Sequence, residues 1–453
     1  MRLLRGTLLG FERDPGAEPD RGAITWIEDG ALAIGDDGRI VEARAWRNED
    51  RHRSGLEIVD WRDRLIMPGF VDAHVHYPQL DVAAAWARGL LDWLERQTFP
   101  AEAAFADAGH ANEVAGAFLD ALLRHGTTSA GVWATVHPAS VDAFFEQAAA
   151  RDMRMVCGKV LMDRNCPAGL RETADRAERA SLALIERWHG RGRLGYAVTP
   201  RFAPTSSPGL LDVAARLMTV REGLVLQTHV AESRDEVAWV AELFPDSRSY
   251  LDVYERAGLL GPRSILAHGL WLDAVDRERL AALGASLAFC PSSNLVLGSG
   301  LLDLDAATRA GLAVALATDV GGGPSLSMLR ALHDAHQVLA LQGQHLDPWR
   351  GFYLATLAGA RALGIDRQVG RLAPGCEADL VVLDWAVTPE QRRQQARGKD
   401  ATARLFTLMM TGDDRNVAAT YVMGAQRWRR PEPGRPGRSR RGPASRGRRS
   451  HMP

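Results

Sequence analysis

Cysteine is scarce and widely spaced in this chain. Only Cys157, Cys166, Cys290 and Cys376 occur in 453 residues, and no two form a C-x-x-C pair. A disulfide framework and a thiolate zinc site are therefore not suggested, and the four thiols are expected to be reduced and structural. Long apolar runs are missing as well, since nothing approaches the roughly 20 consecutive apolar residues that a membrane helix needs. The opening Met1-Arg2-Leu3-Leu4-Arg5-Gly6 has too short an apolar stretch for a secretory signal, so a cytoplasmic protein is expected. Lysine is almost absent: Lys159 and Lys399 are the only two among 55 basic residues. The net charge of -1 conceals an asymmetry, because seven arginines and one glutamate fall between residues 431 and 453. The rest of the chain is mildly acidic.

What is present is ordinary in bulk, with 46% hydrophobic and 25% charged residues, and long enough for a large barrel with a satellite domain. Near the N-terminus, Ala23–Ile27 and Ala31–Ile34 read as short alternating strands, broken at Asp36-Asp37-Gly38, a hairpin turn. Pro374–Asp384 and Val417–Trp428 have the same character. Residues 1–65 and 370–430 are expected to pair into one composite β-sandwich. Between them, eight apolar runs alternate with amphipathic segments such as Asn112–Arg124 and Leu211–Val220. The runs are Leu65–Val75, Thr127–Trp133, Met153–Met162, Leu194–Phe202, Leu224–Val230, Ser264–Leu270, Ser286–Cys290 and Ala313–Asp319. Eight strands in series, without the glycine fingerprint of a doubly wound sheet, predict an α/β fold with a (β/α)8 TIM barrel over residues 66–369. Residues 431–453, rich in Arg, Pro and Gly, are expected to form a disordered tail.

Chemistry in such a barrel gathers where the strands end. Asp72-Ala73-His74-Val75-His76 closes the first run, and alternation puts His74 and His76 on one face. A lone H-x-H is a weak signal that fits a pair of hydrogen-bonded core histidines better than metal ligands. The balance changes with His229 at the end of the fifth run, His268 at the sixth and Asp319 at the eighth, because neutral imidazole and carboxylate are good ligands for a catalytic metal. Glu232, three residues past His229, is placed to exchange protons with a metal-activated water or, more blandly, to open the following helix. The remaining histidines, including His125, His189 and His333, lie in helical or loop sequence where capping or solvation is expected.

These residues resemble the amidohydrolase superfamily and, within it, the guanine deaminases among the triazine-hydrolase-like aminohydrolases. The most specific strings are Pro68-Gly69-Phe70-Val71-Asp72-Ala73-His74-Val75-His76-Tyr77-Pro78-Gln79, Thr199-Pro200-Arg201-Phe202-Ala203-Pro204-Thr205-Ser206-Ser207 and Phe289-Cys290-Pro291-Ser292-Ser293-Asn294-Leu295. The resemblance implies zinc held by His74, His76, His229 and Asp319, with Glu232 as proton shuttle and with His268 and Asp319 orienting the water. It implies hydrolytic deamination of guanine to xanthine and ammonia, in purine breakdown, by a homodimer. Two-metal members carry a carbamylated lysine at the end of the fourth strand. Here that strand ends Thr199-Pro200-Arg201-Phe202, so a single metal is expected, zinc or alternatively iron.

In a guanine site, Arg201 suits the O6 acceptor, Gln79 offers a donor and an acceptor, and Phe202 can pack on the base. His229, Glu232 and Asp319 complete the substrate-facing set. Each of the first three also has a plain alternative: Arg201 paired to a structural carboxylate, Gln79 bracing His76, Phe202 in the core. Rival activities are deamination of a triazine, a pterin or an adenine-like ring. The compact zinc deaminase fold built on H-x-E and P-C-x-x-C is excluded by the missing C-x-x-C. A nucleic-acid-binding role motivated by the arginine-rich tail lacks aromatic interleaving and a recognisable module, so no nucleic-acid or membrane partner is expected.

Overall fold

Alternating residues at both ends of the chain meet in one sheet. The computed structural model describes residues 1–52 and 55–431, and apart from Pro431 the expected tail lies outside the described residues. Arg2–Phe11 pairs antiparallel with Ile24–Ile34, which turns through Gly38 into Ile40–Ala45. The two short strands expected at Ala23–Ile27 and Ala31–Ile34 are thus a single strand. On its other edge Arg2–Phe11 lies parallel to Glu57–Pro68. Leu380–Asp384 joins that strand antiparallel, Val382 opposite Ile66, and Val417–Val422 and Ala425–Arg429 complete a mixed sheet of seven strands. Leu4, Leu8, Leu32, Ile66, Val382 and Tyr421 fill a core of its own.

The other sheet is the barrel. Phe70–His76, Thr127–Trp133, Arg154–Gly158, Leu194–Pro200, Val225–Val230, Ser264–His268, Ser286–Phe289 and Ala313–Leu316 pair in chain order, all parallel. The ring closes where Asp319 N donates to His74 O (3.0 Å) and His76 N donates to Val320 O (2.9 Å). The apolar run that begins at Leu65 divides at Gly69, because Leu65–Pro68 completes a strand of the terminal sheet before the chain enters the barrel. A side chain at Gly69 would place its Cβ 2.2 Å from Thr128 Oγ1, so only glycine allows this passage. The helix expected from Asn112 starts earlier, at Ala108, because the Asp107 side chain caps it by accepting from His110 N. The helix expected at Leu211–Val220 runs Pro208–Met218, with Ser207 as its cap and Pro208 in its first turn. No helix among the described residues is long and apolar enough to cross a membrane.

A charged cluster ties the two sheets together at the barrel end opposite the histidines. Glu377, 3% exposed, accepts from Arg154 Nε (2.7 Å) and Arg193 NH2 (2.7 Å), and Asp379 also accepts from Arg193. Burial pushes the Glu377 carboxyl up, but the two guanidiniums outweigh it and hold it below the usual carboxylate range. Glu377→Ala leaves both cations without this partner, and breaking a buried pair from one side costs about 3–5 kcal/mol. The expected result is a lower denaturant midpoint with metal content per folded chain unchanged. A midpoint within error of the parent would mean that the cluster does not hold the sheets together.

Candidate active site and metal centre

The pleat sets which side chains enter the barrel mouth. Asp72, His74 and His76 lie on one face of the first strand, and all three are buried. His229 is the penultimate residue of the fifth strand and His268 the last of the sixth. Asp319 lies three residues beyond the end of the eighth strand, in a tight turn, although the apolar run suggested a strand up to that point. Both His268 and Asp319 adopt left-handed backbone, φ 72° and 48°, a conformation that costs a non-glycine residue roughly 1 kcal/mol. Such strain persists where the surroundings enforce it, and it gathers at functional sites.

Four donor atoms converge. His74 Nε2 stands 3.1 Å from both His76 Nε2 and Asp319 Oδ1, and His229 Nε2 stands 3.3 Å from His76 Nε2. Tetrahedral ligands about 2.0–2.1 Å from a zinc ion lie about 3.3 Å from one another, so these spacings fit such an ion. Protonation fits as well. Burial drives the pKa values of His74, His76 and His229 well below the ordinary imidazole value, which leaves neutral lone pairs. The Nδ1–H of His229 donates to the Arg201 carbonyl (2.7 Å), an oxygen that can only accept, so its Nε2 is free to ligate. Asp72 accepts from Thr318 N (3.0 Å), Thr318 Oγ1 and His74 N, and so ties the first strand to the eighth beneath the donors. Burial holds its carboxyl up at about 7. Trp133, at the end of the second strand, packs its ring 4.3–5.2 Å from those of His74, His76 and His229.

Glu232 faces the same space. Its Oε2 is 3.2 Å from His268 Nε2, and its Oε1 accepts from Ser299 Oγ (3.1 Å). Burial, reinforced by the charge of Asp319, raises its carboxyl to about 8. His268 Nδ1 donates to Asn294 Oδ1 (2.8 Å), turning Nε2 towards Glu232 and towards Asp319 Oδ2, 3.8 Å away. Helix entry is handled by another residue, because Ser233 and Glu236 form the capping box and Glu236 Oε2 accepts from Glu232 N. The Glu232 side chain is thereby left to the cavity.

That cavity is lined by His76, Gln79, Arg201, Phe202, His229, Glu232, His268 and Asp319, together with Leu90, Trp93, Leu94 and Leu297. All the expected site residues except His74 therefore line it, and His74 lies among the donors beneath. Arg201, 2% exposed, lines the cavity and is paired to a buried carboxylate, Glu102 (2.7 Å), as its plain alternative expects. Gln79 Nε2 donates to the same Glu102 (2.7 Å) and not to His76. Phe202 meets Trp239 edge-on, centroids 6.3 Å apart. Lys159 is elsewhere, buried against Glu172. His125, His189 and His333 each bond a backbone carbonyl, as expected of structural histidines.

The model of the amidohydrolase family matches residues 65–427. The chain belongs to that family. It is 44% identical over 427 residues to the guanine deaminase of Escherichia coli (strain K12), covering 94% of this chain and 97% of the relative. The solved E. coli guanine deaminase superposes with a TM-score of 0.92 at 43% identity, over 95% of this chain and all of that one. A guanine deaminase from C. acetobutylicum, solved with guanine bound in its active site, matches at TM-score 0.84 and 26% identity, over 94% and 99% of the two chains.

Four contributors to this amidohydrolase site have no assigned role in a reading of the sequence. Asp72 and Asn294 sit inside the motif strings, where a buried acid between ligands and an amide beside a strand end are the available signals. Trp133 ends its run on the same face as the histidines. Glu102 has no signal of spacing at all.

Proposed function

We propose that this amidohydrolase hydrolyses guanine to xanthine and ammonia, with one zinc ion per subunit held by His74, His76, His229 and Asp319. The observation that carries the reading is the buried cavity itself, in which an acid with a raised pKa and a metal-type donor set face a fixed cation, Arg201. The near full-length relatives named guanine deaminase support the choice of ring. When bound, zinc supplies Lewis acidity that lowers the pKa of water from about 15.7 towards 7.

The chain's own groups do the rest. His268 and Asp319 orient the attacking water towards C2 of the base. Glu232 takes one proton from that water and hands it to ring N3, relieving the negative charge that builds there. Burial favours the protonated form of this carboxyl, so it can hold the proton that it takes from water and deliver it to the ring. An oxygen bond forms at C2, the hydroxyl so formed gives up its remaining proton to the exocyclic nitrogen as it becomes a carbonyl, the C2–N bond breaks, and ammonia leaves. Arg201 donates to O6, Gln79 faces the adjacent ring edge, and Phe202 packs on the plane of the base. The reading includes a homodimeric, cytoplasmic enzyme of purine breakdown.

Metal analysis combined with a xanthine assay tests it. Purified protein should contain close to one zinc per chain, and ammonia release across guanine, adenine, a pterin and a triazine should be greatest by far with guanine. Faster release from one of the other rings would move the substrate assignment to that ring, and iron in place of zinc would correct the metal.

A further inference from the structure

Glu102 lies on the segment that roofs the cavity. Helix Leu90–Trp93 runs through a widened π turn, Leu94–Thr98, into Phe99–Ala103, where Pro100 lacks the N–H to continue the regular pattern. Leu90, Trp93 and Leu94 close the cavity from above. Glu102, from the same segment, is fully buried and reaches down to two residues of the wall. Arg201 NH1 donates to both of its oxygens, at 2.9 and 2.7 Å, and Gln79 Nε2 donates to Oε1 at 2.7 Å.

The second contact decides what Gln79 can offer. An amide can present either end to a ligand, but a carboxylate only accepts, so it captures the NH2 end. Gln79 Oε1 is then left buried, without a hydrogen-bond partner among the described residues, in a residue that is 1% exposed and lines the cavity. Gly321 makes room for this arrangement, since a Cβ there would fall 2.2 Å from Oε1 and 2.9 Å from the Trp93 ring. Because a buried acceptor left unmet is unfavourable, the site favours whatever supplies an N–H at that point.

We infer that Glu102 is a positioning residue for specificity: it holds Gln79 as an acceptor beside Arg201, which can only donate, so that together they read the lactam edge, N–H beside C=O, of a heterocycle. An edge with an imine nitrogen beside an amine carries the opposite pattern and leaves both groups mismatched. The inference rests on the proposed guanine reading but goes further, since it names the residue that sets the pattern and does not touch the ring.

Equilibrium binding of two rings that have no amine to lose tests this apart from turnover. Hypoxanthine carries the lactam edge, and purine lacks the oxygen. The zinc-loaded parent should bind hypoxanthine at least about tenfold more tightly than purine, a modest fraction of the discrimination that hydrogen-bonding sites reach. Glu102→Gln places an amide against Gln79 and frees it to turn, so the ratio should fall at least about threefold with zinc content unchanged, the remainder being the bond from Arg201 to the oxygen, which needs no orienting carboxylate. Glu102→Asp keeps the charge and should restore part of the preference, and it serves as the readout if the glutamine variant does not fold. A preference retained in full by Glu102→Gln, or by Glu102→Asp where only that variant folds, overturns the inference, as does a parent with no preference. Failure of guanine turnover with the hypoxanthine preference intact would sink the proposed reaction and leave the role of Glu102 standing.

Discussion

Glu232→Gln is expected to lower kcat for guanine by about 10²–10⁴-fold while zinc content stays at the parent level, the range set by loss of a positioned proton carrier. Glutamine preserves the shape and the bond from Ser299 Oγ, and Glu232 is not one of the four converging donors, so the metal cluster should not notice the change. What disappears is the ability to take a proton from water and give it to the ring. The contrast is informative because Glu236 and not Glu232 caps the following helix, which leaves the Glu232 carboxyl to the cavity, where burial and the charge of Asp319 raise it to about 8. Steady-state ammonia release and metal analysis on the same preparation check it. Near-parental kcat in a fully loaded variant would remove Glu232 from the chemistry.

Stripping the metal should abolish turnover and weaken the fold, and the stripped protein should be least stable in acid. A ligand bound only to the folded state contributes about 4 kcal/mol when its free concentration is a thousandfold above Kd, and chelation removes that amount. The pH dependence follows from the imidazoles. Burial lowers the folded-state pKa values of His74, His76 and His229, whereas in the unfolded chain they titrate near 6.5. Above about pH 6.5 both states hold them neutral and they exact no penalty; below it the unfolded chain binds protons that the folded chain refuses. Stability of the stripped protein should therefore fall as pH drops below about 6.5, by up to about 1.4 kcal/mol per histidine per pH unit. Urea midpoints of stripped and zinc-loaded protein between pH 5 and 8 test the point. Equal midpoints across that range would mean that these histidines do not share a buried metal position.

The barrel was legible in the sequence because its signals are local. A strand presents alternate residues to one side, so His74 and His76 had to share a face wherever the strand ended up, and eight apolar runs separated by amphipathic segments admit few topologies. Boundaries were less legible. Leu65–Val75 reads as one run because the terminal sheet and the barrel ask for the same apolar alternation, and only the close approach of Gly69 to Thr128 divides them. Asp319 was read as the end of a strand, yet its side chain reaches the donors from a left-handed turn three residues further on.

Taken by itself, the sequence determined the alternation of elements, the identity of the donor residues and the acid nearest to them, since each depends on neighbours within a few positions. Tertiary structure alone decided that Glu102 reaches Arg201 across 99 residues, that it takes the NH2 end of Gln79, and that Trp133 lies against three imidazoles. A buried charge must find a partner, but nothing in the order of residues says which distant segment will bring one. That choice belongs to the packing of the roof on the barrel.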